Sequence, residues 1–401
     1  MPQMFSAQPP YQHNNELGPV CIILPPKHLK KVFTSGERIA GLVRVKTVTQ
    51  ATSVTISFKG RSSCSKDENT TFFSLTLPLF SRPGTIPTHK DPDHVDFPFE
   101  LRFPETVELH PSKIKDAPFK PSDMFEYRPG YLLPPTFWAN DRSAKIEYYL
   151  EAKIPADQMF FGGKTRVRQH IRFTPSVVAP ISIPQNPTPC APVLVKRQTR
   201  LLDSPTEHKS RLTRWKDTIS REDAPTASFT INIDVPSVLT VGEPVPLGIS
   251  LVHQGRSDEI QEPPVVFLKQ IVAKAIVHIN ARVPQTWAPE GEHRSHSSEE
   301  IKIFSHTFKD SGLVVFDGMT LEEEAPTLAL EKIVAPSFRS YAITTTHDLK
   351  LKLVLYCAGK ASEADFVREG VVLLPLVRSG DIGAEFELPL YDEEVPPPYE
   401  G

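Results

Sequence analysis

The sequence has little cysteine and no long apolar run, and both absences narrow the class of protein. Its four cysteines, Cys21, Cys64, Cys190 and Cys357, lie far apart and form no CxxC pair. Reduced thiols are therefore favoured over a disulfide framework or a zinc site. The longest apolar runs, such as VVLLPLV at residues 371–377, fall far short of the roughly 18 residues that a membrane helix needs. We predict a protein without a transmembrane segment.

Secretory, nucleic-acid-binding and catalytic features are also missing. The opening stretch MPQMFSAQPPYQHNNE has no apolar core typical of a signal peptide, which predicts a cytoplasmic protein. A net charge of −3 is too small to indicate bulk binding to nucleic acid. The chain contains no nucleophile elbow, phosphate-binding loop, dinucleotide fingerprint or H-E-x-x-H motif. We therefore expect no enzyme activity and no cofactor, although catalytic groups need not be adjacent in sequence.

The sequence EHRSH contains two histidines, which are candidate metal ligands. His293 and His296 lack a cysteine or third ligand at a spacing suited to a metal ion. The polar stretch 289–300 therefore predicts a long loop rather than a metal site.

Proline and alternating apolar residues are what the sequence has in abundance. Its 41 prolines are about twice the average usage, and many separate short apolar runs. In SVTISFKG (53–60), Val54, Ile56 and Phe58 fall on one face. KIEYYLEAKI (145–154) alternates in the same way. This period of two is typical of half-buried antiparallel strands, so we predict an all-β fold.

The alternation divides the chain into two β domains. It stops near Val178, gives way to a proline-laden and then basic stretch, and returns at Ser228. The predicted organisation is a disordered tail (1–17), a first domain (18–179), a linker (180–225), a second domain (226–390) and a final tail (391–401).

The two domains contain matching blocks in the same order. FTSGERIAGLVRV (33–45) aligns with LTVGEPVPLGISL (239–251), and each has a Gly-Glu step before alternating apolar residues. PTFWANDRSAKIEYYLEAKI (135–154) aligns with PSFRSYAITTTHDLKLKLVLYCA (336–358). A glycine before each strand supplies a turn or bulge. We interpret the halves as two copies of one β-sandwich.

The order of these blocks, over about residues 18–390, resembles the arrestin fold. The first half matches through its Gly-Glu turn, SVTISFKGR, PPTFW and IEYYLEAKI. The second half matches through VGEPVPLGISL and APSFRSYAITTTHDLKLKLVLYCAGK. The resemblance implies tandem arrestin-like, immunoglobulin-type β-sandwiches joined by a proline-rich, basic linker. The phosphate sensor of classical arrestins does not map onto this sequence.

The chain ends in DEEVPPPYEG, which can continue neither a sheet nor a helix. Consecutive prolines favour a polyproline II rod, which aromatic-lined grooves bind at little entropic cost. Pro396, Pro397 and Tyr399 form the PPxY pattern of WW-domain ligands. An idle tail is the less favoured alternative.

With this motif, the chain is most similar to the alpha-arrestins, the arrestin-related trafficking adaptors. The resemblance implies an adaptor that binds the tail of a membrane transporter or receptor and recruits a HECT-type ubiquitin ligase through WW domains. The cargo is then ubiquitinated and internalised, with the adaptor recruited from the cytoplasm to the plasma membrane or endosomes. The alternative is an arrestin-like scaffold in endosomal sorting or signalling, with no ligase recruitment.

A second motif departs from the two full PPxY motifs that alpha-arrestins often carry. Leu388, Pro389 and Tyr391 form an LPxY variant. Either this is a weaker second site, or the stretch AEFELPLY is the last strand of the second domain, which we favour.

Basic clusters suggest an anionic partner such as a lipid or a phosphorylated tail. Their lysines are Lys27, Lys30, Lys31, Lys196, Lys209 and Lys216, and the linker adds Arg197, Arg200, Arg211 and Arg214. A solvated linker surface is the favoured alternative. The family resemblance also suggests these lysines as ubiquitin acceptors. Ser204, before Pro205, is a candidate phosphorylation site whose added charge would pair with basic neighbours.

Overall fold

The computed structural model describes residues 19–46, 53–64, 69–81, 94–108, 121–127, 129–139, 144–154, 166–176, 188–202, 224–241, 243–284, 292–309, 312–321 and 335–375. Nearly all of its regular elements are β-strands, as the alternating sequence predicts. We call the described residues up to 176 the first half and those from 188 onward the second half.

The first half contains nine strands and one short helix among its described residues. The strands are β1 (Val20–Ile23), β2 (Val32–Phe33), β3 (Arg38–Lys46), β4 (Ser53–Ser63), β5 (Asn69–Ser81), β6 (His94–Arg102), β7 (Phe137–Trp138), β8 (Lys145–Lys153) and β9 (Arg166–Phe173). Helix α1 (Pro26–Leu29) follows β1.

The second half contains twelve strands among its described residues. They are β10 (Thr188–Pro189), β11 (Val193–Gln198), β12 (Thr226–Val235), β13 (Val238–Thr240), β14 (Gly248–Arg256), β15 (Val266–Pro284), β16 (Glu292–Thr307), β17 (Leu313–Val314), β18 (Met319–Thr320), β19 (Phe338–Arg339), β20 (Ile343–Cys357) and β21 (Lys360–Leu374). A short 3₁₀ helix, Arg200–Leu202, follows β11.

The larger sheets of the two halves share one strand order. In the first half the order is β2-β9-β8-β4-β5, with β7 beside β8; in the second it is β13-β21-β20-β15-β16, with β19 beside β20 and β17 beside β15. The first strand of each order runs parallel to its neighbour, and the other pairs are antiparallel. The smaller sheets are β1-β3-β6, and β10-β12-β14-β18 with β11 beside β12. The matching blocks in the sequence thus correspond to matching topology.

Apolar side chains at every second position fill the space between the sheets of each half. On β8, Ile146, Tyr148 and Leu150 are each 0% exposed. Phe103, at the end of β6, joins the two first-half sheets by packing edge-on against Phe58 of β4, with ring centroids 4.6 Å apart. The period of two therefore buries one face of each strand, as expected of a sandwich.

The all-β, sandwich-like fold class is confirmed, whereas the loop expected at 289–300 is wrong over residues 292–300, and residues 289–291 lie outside the described part. Residues Glu292–Thr307 form β16, which pairs along its length with β15. The stretch gave no strand pattern because it lies at a sheet edge, where His293 and His296 are exposed and need no apolar alternation. The domain boundaries remain a prediction. Within the segment expected to be a linker, β10 and β11 pair with β12.

The halves meet at a first-half segment that contains residues 121–134. Thr344 donates a hydrogen bond to the Met124 carbonyl at 2.8 Å. The Tyr341 N–H donates to the Tyr131 hydroxyl at 3.1 Å. Thr344 belongs to β20, and Tyr341 lies in the connection between β19 and β20. A cleft of about 540 Å³ opens beside them.

Arg282 of β15 is the largest side chain buried at this junction, with 1% exposure. Its Nε donates to the Tyr341 carbonyl at 2.7 Å, and its Nη2 donates to the Glu126 carbonyl at 3.2 Å. The guanidinium carbon also lies 4.5 Å from the centre of the Phe125 ring and 5.2 Å from that of Tyr341. Carbonyl oxygens and aromatic faces thus stabilise a cation removed from water.

Candidate functional site

One face of the larger first-half sheet carries charged residues between its core positions. Because neighbouring strands are antiparallel and in register, side chains from β4, β8 and β9 lie side by side there. We call this surface the charged face. Its residues are Lys59, Arg61, Trp138, Lys145, Glu147, Tyr149, Glu151, Arg166, Arg168 and His170.

Glu151 lies at the centre of the first ion-pair group, with a side chain 5% exposed. Lys59 Nζ donates to its Oε1 at 2.8 Å. Arg166 Nε and Arg168 Nε donate to its Oε2 at 2.6 and 2.7 Å. Burial alone would raise the pKa of Glu151, but the hydrogen bonds from these three cations outweigh it and lower the pKa to about 2. The carboxylate therefore stays ionised throughout the physiological range.

Glu147 holds the second group, with a side chain 3% exposed. Arg61 donates to its Oε1, and Lys145 Nζ lies 3.4 Å from its Oε2. His170 Nδ1 is 4.0 Å from the same Oε2. Burial lowers the pKa of His170, and although Glu147 opposes this shift, nearby cations such as Lys145 reinforce it. His170 is therefore neutral near pH 7.

Aromatic rings separate the two groups and stack against their cations. The ring centre of Tyr149 lies 5.1 Å from the guanidinium carbon of Arg61 and 4.8 Å from that of Arg168. Lys145 Nζ lies 5.5 Å from the ring centre of Trp138. The indole Nε1 of Trp138 is buried with no hydrogen-bond partner among the described residues. Contact with ring faces stabilises these cations in addition to their ion pairs.

The charge balance of this surface is positive. Its permanent cations are Lys59, Arg61, Lys145, Arg166 and Arg168, and its carboxylates are Glu147 and Glu151. Arg166 and Arg168 are the most accessible of the cations at Glu151, with side chains 50% and 35% exposed. Arginines bind carboxylates and phosphates through paired N–H groups. Chemically, the arrangement is suited to binding an anionic group.

The corresponding face of the second half is more exposed. Lys274 Nζ lies 2.7 Å from Glu300 Oε2, and Lys350 Nζ lies 3.6 Å from its Oε1. These three side chains are 38–42% exposed. His278 Nε2 lies 2.8 Å from Asp348 Oδ2. Water screens such pairs, so this face provides weaker electrostatic organisation than the charged face.

His347 is the strongly shifted histidine of the second half. It is 1% exposed, and its Nδ1 lies 2.8 Å from Ser337 Oγ. That hydroxyl also accepts the Leu373 N–H at 3.0 Å. Burial lowers the pKa of His347 to about 4, and its Nε2 has no hydrogen-bond partner among the described residues. His347 is therefore a neutral, structural residue at neutral pH.

The structure describes four of the six lysines predicted from the sequence. Lys27 and Lys30 are exposed near α1, and Lys196 is exposed on β11. Lys31 pairs with Glu37 at 3.0 Å and lies 5.3 Å from the ring centre of Phe33. Lys27, Lys30 and Lys31 belong to the first half, and Lys196 belongs to the second. The predicted residues outside the described part are Lys209, Arg211, Arg214, Lys216, Ser204, Leu388, Pro389, Tyr391, Pro396, Pro397 and Tyr399.

The charged face was not predicted from the sequence. The alternation of KIEYYLEAKI predicts β8 as a half-buried strand but does not show that Glu147 and Glu151 are buried in ion-pair groups. The available signal was the run of basic residues at every second position of β9, namely Arg166, Arg168 and His170. Only the strand order shows that these residues flank Glu147 and Glu151, since β9 is next to β8 in the sheet.

No protein-family model matches the chain, and no curated protein matches it. In the part of the chain that the structure describes, no helix is long and apolar enough to cross a membrane. Among those same residues, no three histidine, cysteine, aspartate or glutamate side chains are grouped so as to hold a metal ion.

Proposed function

We propose that this chain is a non-enzymatic, arrestin-like adaptor of the alpha-arrestin type. It links a membrane transporter or receptor to a HECT-type ubiquitin ligase, and so promotes ubiquitination and endocytosis of that cargo. The observation that carries the proposal is the PPxY motif of Pro396, Pro397 and Tyr399 in an all-β chain whose two larger sheets share one strand order. Both prolines would pack on an aromatic WW groove, with Tyr399 in a neighbouring pocket.

The charged face supports the cargo-binding part of the proposal. Its five permanent cations outnumber its two carboxylates, and Arg166 and Arg168 present partly exposed guanidinium groups. An acidic or phosphorylated cargo tail would offer oxygen pairs to such donors. Lys27 and Lys30, beside the exposed Leu29 (41%), would supply attraction to anionic lipid when the adaptor reaches a membrane.

The ligase part is tested by titrating the full-length protein with the tandem WW domains of a HECT ligase. We expect binding in the micromolar range or tighter, and its loss on Tyr399→Ala. A further loss in the Tyr391→Ala and Tyr399→Ala double variant would add the LPxY motif as a second contact. Tyr127→Ala, at a tyrosine 38% exposed, is the matched control. No binding by the unmodified chain would instead support the scaffold without ligase recruitment.

The cargo part is tested with acidic and phosphorylated peptides that correspond to transporter tails. Arg166→Gln removes a half-exposed guanidinium of the charged face and should weaken binding about tenfold. Arg38→Gln, which removes a 73% exposed guanidinium from β3, is the matched control. Equal effects of the two variants would mean that the charged face is not the contact surface.

A further inference from the structure

In the part of the chain that the structure describes, the strand β16 forms an edge of its sheet. Among the described strands it pairs with β15 alone. On one side of the strand, Arg294, His296, Ser298 and Glu300 are all exposed. An edge strand presents backbone N–H and C=O groups that can pair with another strand.

The corresponding edge of the first half, β5, is protected against such pairing. Pro78 lies within β5 and lacks an N–H to donate. The pairing of β5 with β4 is also irregular at two places, Val54/Thr55 and Gly60/Arg61. Proline and bulges are two of the devices that keep edges from joining other strands.

Strand β16 has neither device over most of its length. It contains no proline, and its pairing with β15 has one irregularity, between Ala273 and Lys274, near the far end of the strand. From Glu292 to Lys302 the pairing is continuous. This part of β16 is therefore an uninterrupted edge with which another strand can pair.

The charges along β16 are complementary to a second, antiparallel copy of the same strand. When two copies pair about a twofold axis at Ser297, residues equally distant from Ser297 lie opposite each other. Arg294, three residues before, then faces Glu300, three residues after, and symmetry produces this pair twice. Both residues belong to the same side of the strand, because side chains alternate with a period of two. Opposite charges directly across strands are stabilising.

Neighbouring registers are less favourable. An axis at Ser298 would place Arg294 opposite Lys302, which are like charges, and an axis at His296 would place Arg294 opposite Ser298. The intrachain contacts of Glu300 to Lys274 and Lys350 do not prevent a third contact, since a carboxylate accepts about four hydrogen bonds. Charge therefore selects the register centred on Ser297.

We propose that the chain forms a twofold-symmetric dimer through antiparallel pairing of β16 with β16 of a second copy, centred on Ser297. The large second-half sheet then continues across the axis into its symmetry mate. The dimer goes beyond the adaptor function and does not depend on it. If the adaptor proposal also holds, each assembly carries two PPxY motifs, which raises the apparent affinity for a ligase with several WW domains.

The first experiment is site-specific crosslinking of the full-length protein. In Ser297→Cys, the two thiols face each other across the axis at a Cα separation of about 4.5–5.5 Å, which suits a disulfide. In Ser295→Cys, the matched control, the two thiols are offset by four residues, about 13 Å along the strand. Under mild oxidation we expect a covalent dimer from Ser297→Cys alone. The unmodified chain provides the background from the native thiols, of which Cys64 is partly exposed.

The second experiment is a charge exchange followed by sedimentation velocity. Arg294→Glu creates two like-charge pairs and should weaken dimerisation about tenfold. Adding Glu300→Arg to Arg294→Glu restores opposite charges and should recover dimerisation. Arg256→Glu, an exposed arginine on β14, is the control and should have no effect.

Three results would overturn the proposal. One is a monomer at about 50 μM together with no crosslink in the Ser297→Cys variant. Another is equal crosslinking of the Ser297→Cys and Ser295→Cys variants. The third is a dimer that responds equally to Arg294→Glu and Arg256→Glu. Each outcome is independent of WW-domain binding, so the dimer and the adaptor function fail or succeed separately.

Discussion

The two larger sheets share a strand order but treat their outward carboxylates differently. In the first half the Glu151 side chain is 5% exposed, and three cations converge on it. In the second half Glu300 is 42% exposed and pairs with two lysines that are similarly accessible. Coulomb attraction weakens strongly in water. Equivalent topology can therefore place ion pairs either where they organise a surface or where they contribute little.

The largest expected effect is that of Glu151→Gln, which should lower the free energy of unfolding by about 3 kcal/mol. A neutral amide cannot offset Lys59, Arg166 and Arg168, and breaking a buried charge group typically costs about 3–5 kcal/mol. Because the three cations are partly exposed to water, we expect a loss at the low end of this range. Urea unfolding followed by near-ultraviolet circular dichroism measures it. A loss below about 1 kcal/mol would mean that the group is as weakly coupled as its second-half counterpart.

Acid should destabilise the protein through His347 before it affects Glu151. The folded-state pKa of His347 is lowered to about 4 from 6.5, so the unfolded state binds more protons as pH falls below 6.5. Between pH 7 and pH 5 this linkage removes about 2 kcal/mol of stability. The contribution of Glu151, whose folded-state pKa is about 2, is present above pH 4.5 and is lost as pH falls from 4.5 towards 2.

The measurement is urea unfolding at pH 7, 6 and 5 for the unmodified chain and for His347→Gln. We expect a flatter profile for the variant because it lacks the titrating group. His293, an exposed histidine of β16, provides the control substitution His293→Gln. Identical slopes for the unmodified chain and His347→Gln would contradict the assignment.

A smaller effect is expected from the aromatic ring of the charged face. Tyr149→Leu keeps an apolar side chain but removes two cation–π contacts, so we expect a loss of about 1 kcal/mol. Tyr356→Leu is the second-half comparison, with one cation, Lys269, at 5.5 Å from the ring centre. It should cost about half as much. Thermal unfolding of both variants tests the ratio, and equal losses would remove the distinction between the faces.

The smallest expected effect is that of Glu300→Gln, within about 0.5 kcal/mol. Its pairs with Lys274 and Lys350 are surface contacts that water and salt screen. Urea unfolding at low and high salt checks this expectation. A loss comparable with that of Glu151→Gln would show that exposure does not decide the strength of these groups.

The sequence predicted the strands better than it predicted the surface. Alternation at Val54, Ile56 and Phe58 was sufficient to predict a strand there. Burial of one face of a strand produces a period of two, which is visible in the residues of that strand alone. The same logic missed β16, since an exposed edge strand needs no apolar alternation. It also missed the ion pairs of Glu147 and Glu151, whose partners lie on other strands. Those contacts depend on strand order, which a single strand does not encode.

The hydrogen bond from the Tyr341 N–H to the Tyr131 hydroxyl makes the rate at which the two halves separate measurable. A second-half amide is shielded by a side chain from the first half, and its residue is 2% exposed. We expect this amide to exchange with deuterated solvent slowly, at a rate set by transient separation of the halves. The exchange rate of this single amide hydrogen therefore reports how often the whole junction opens.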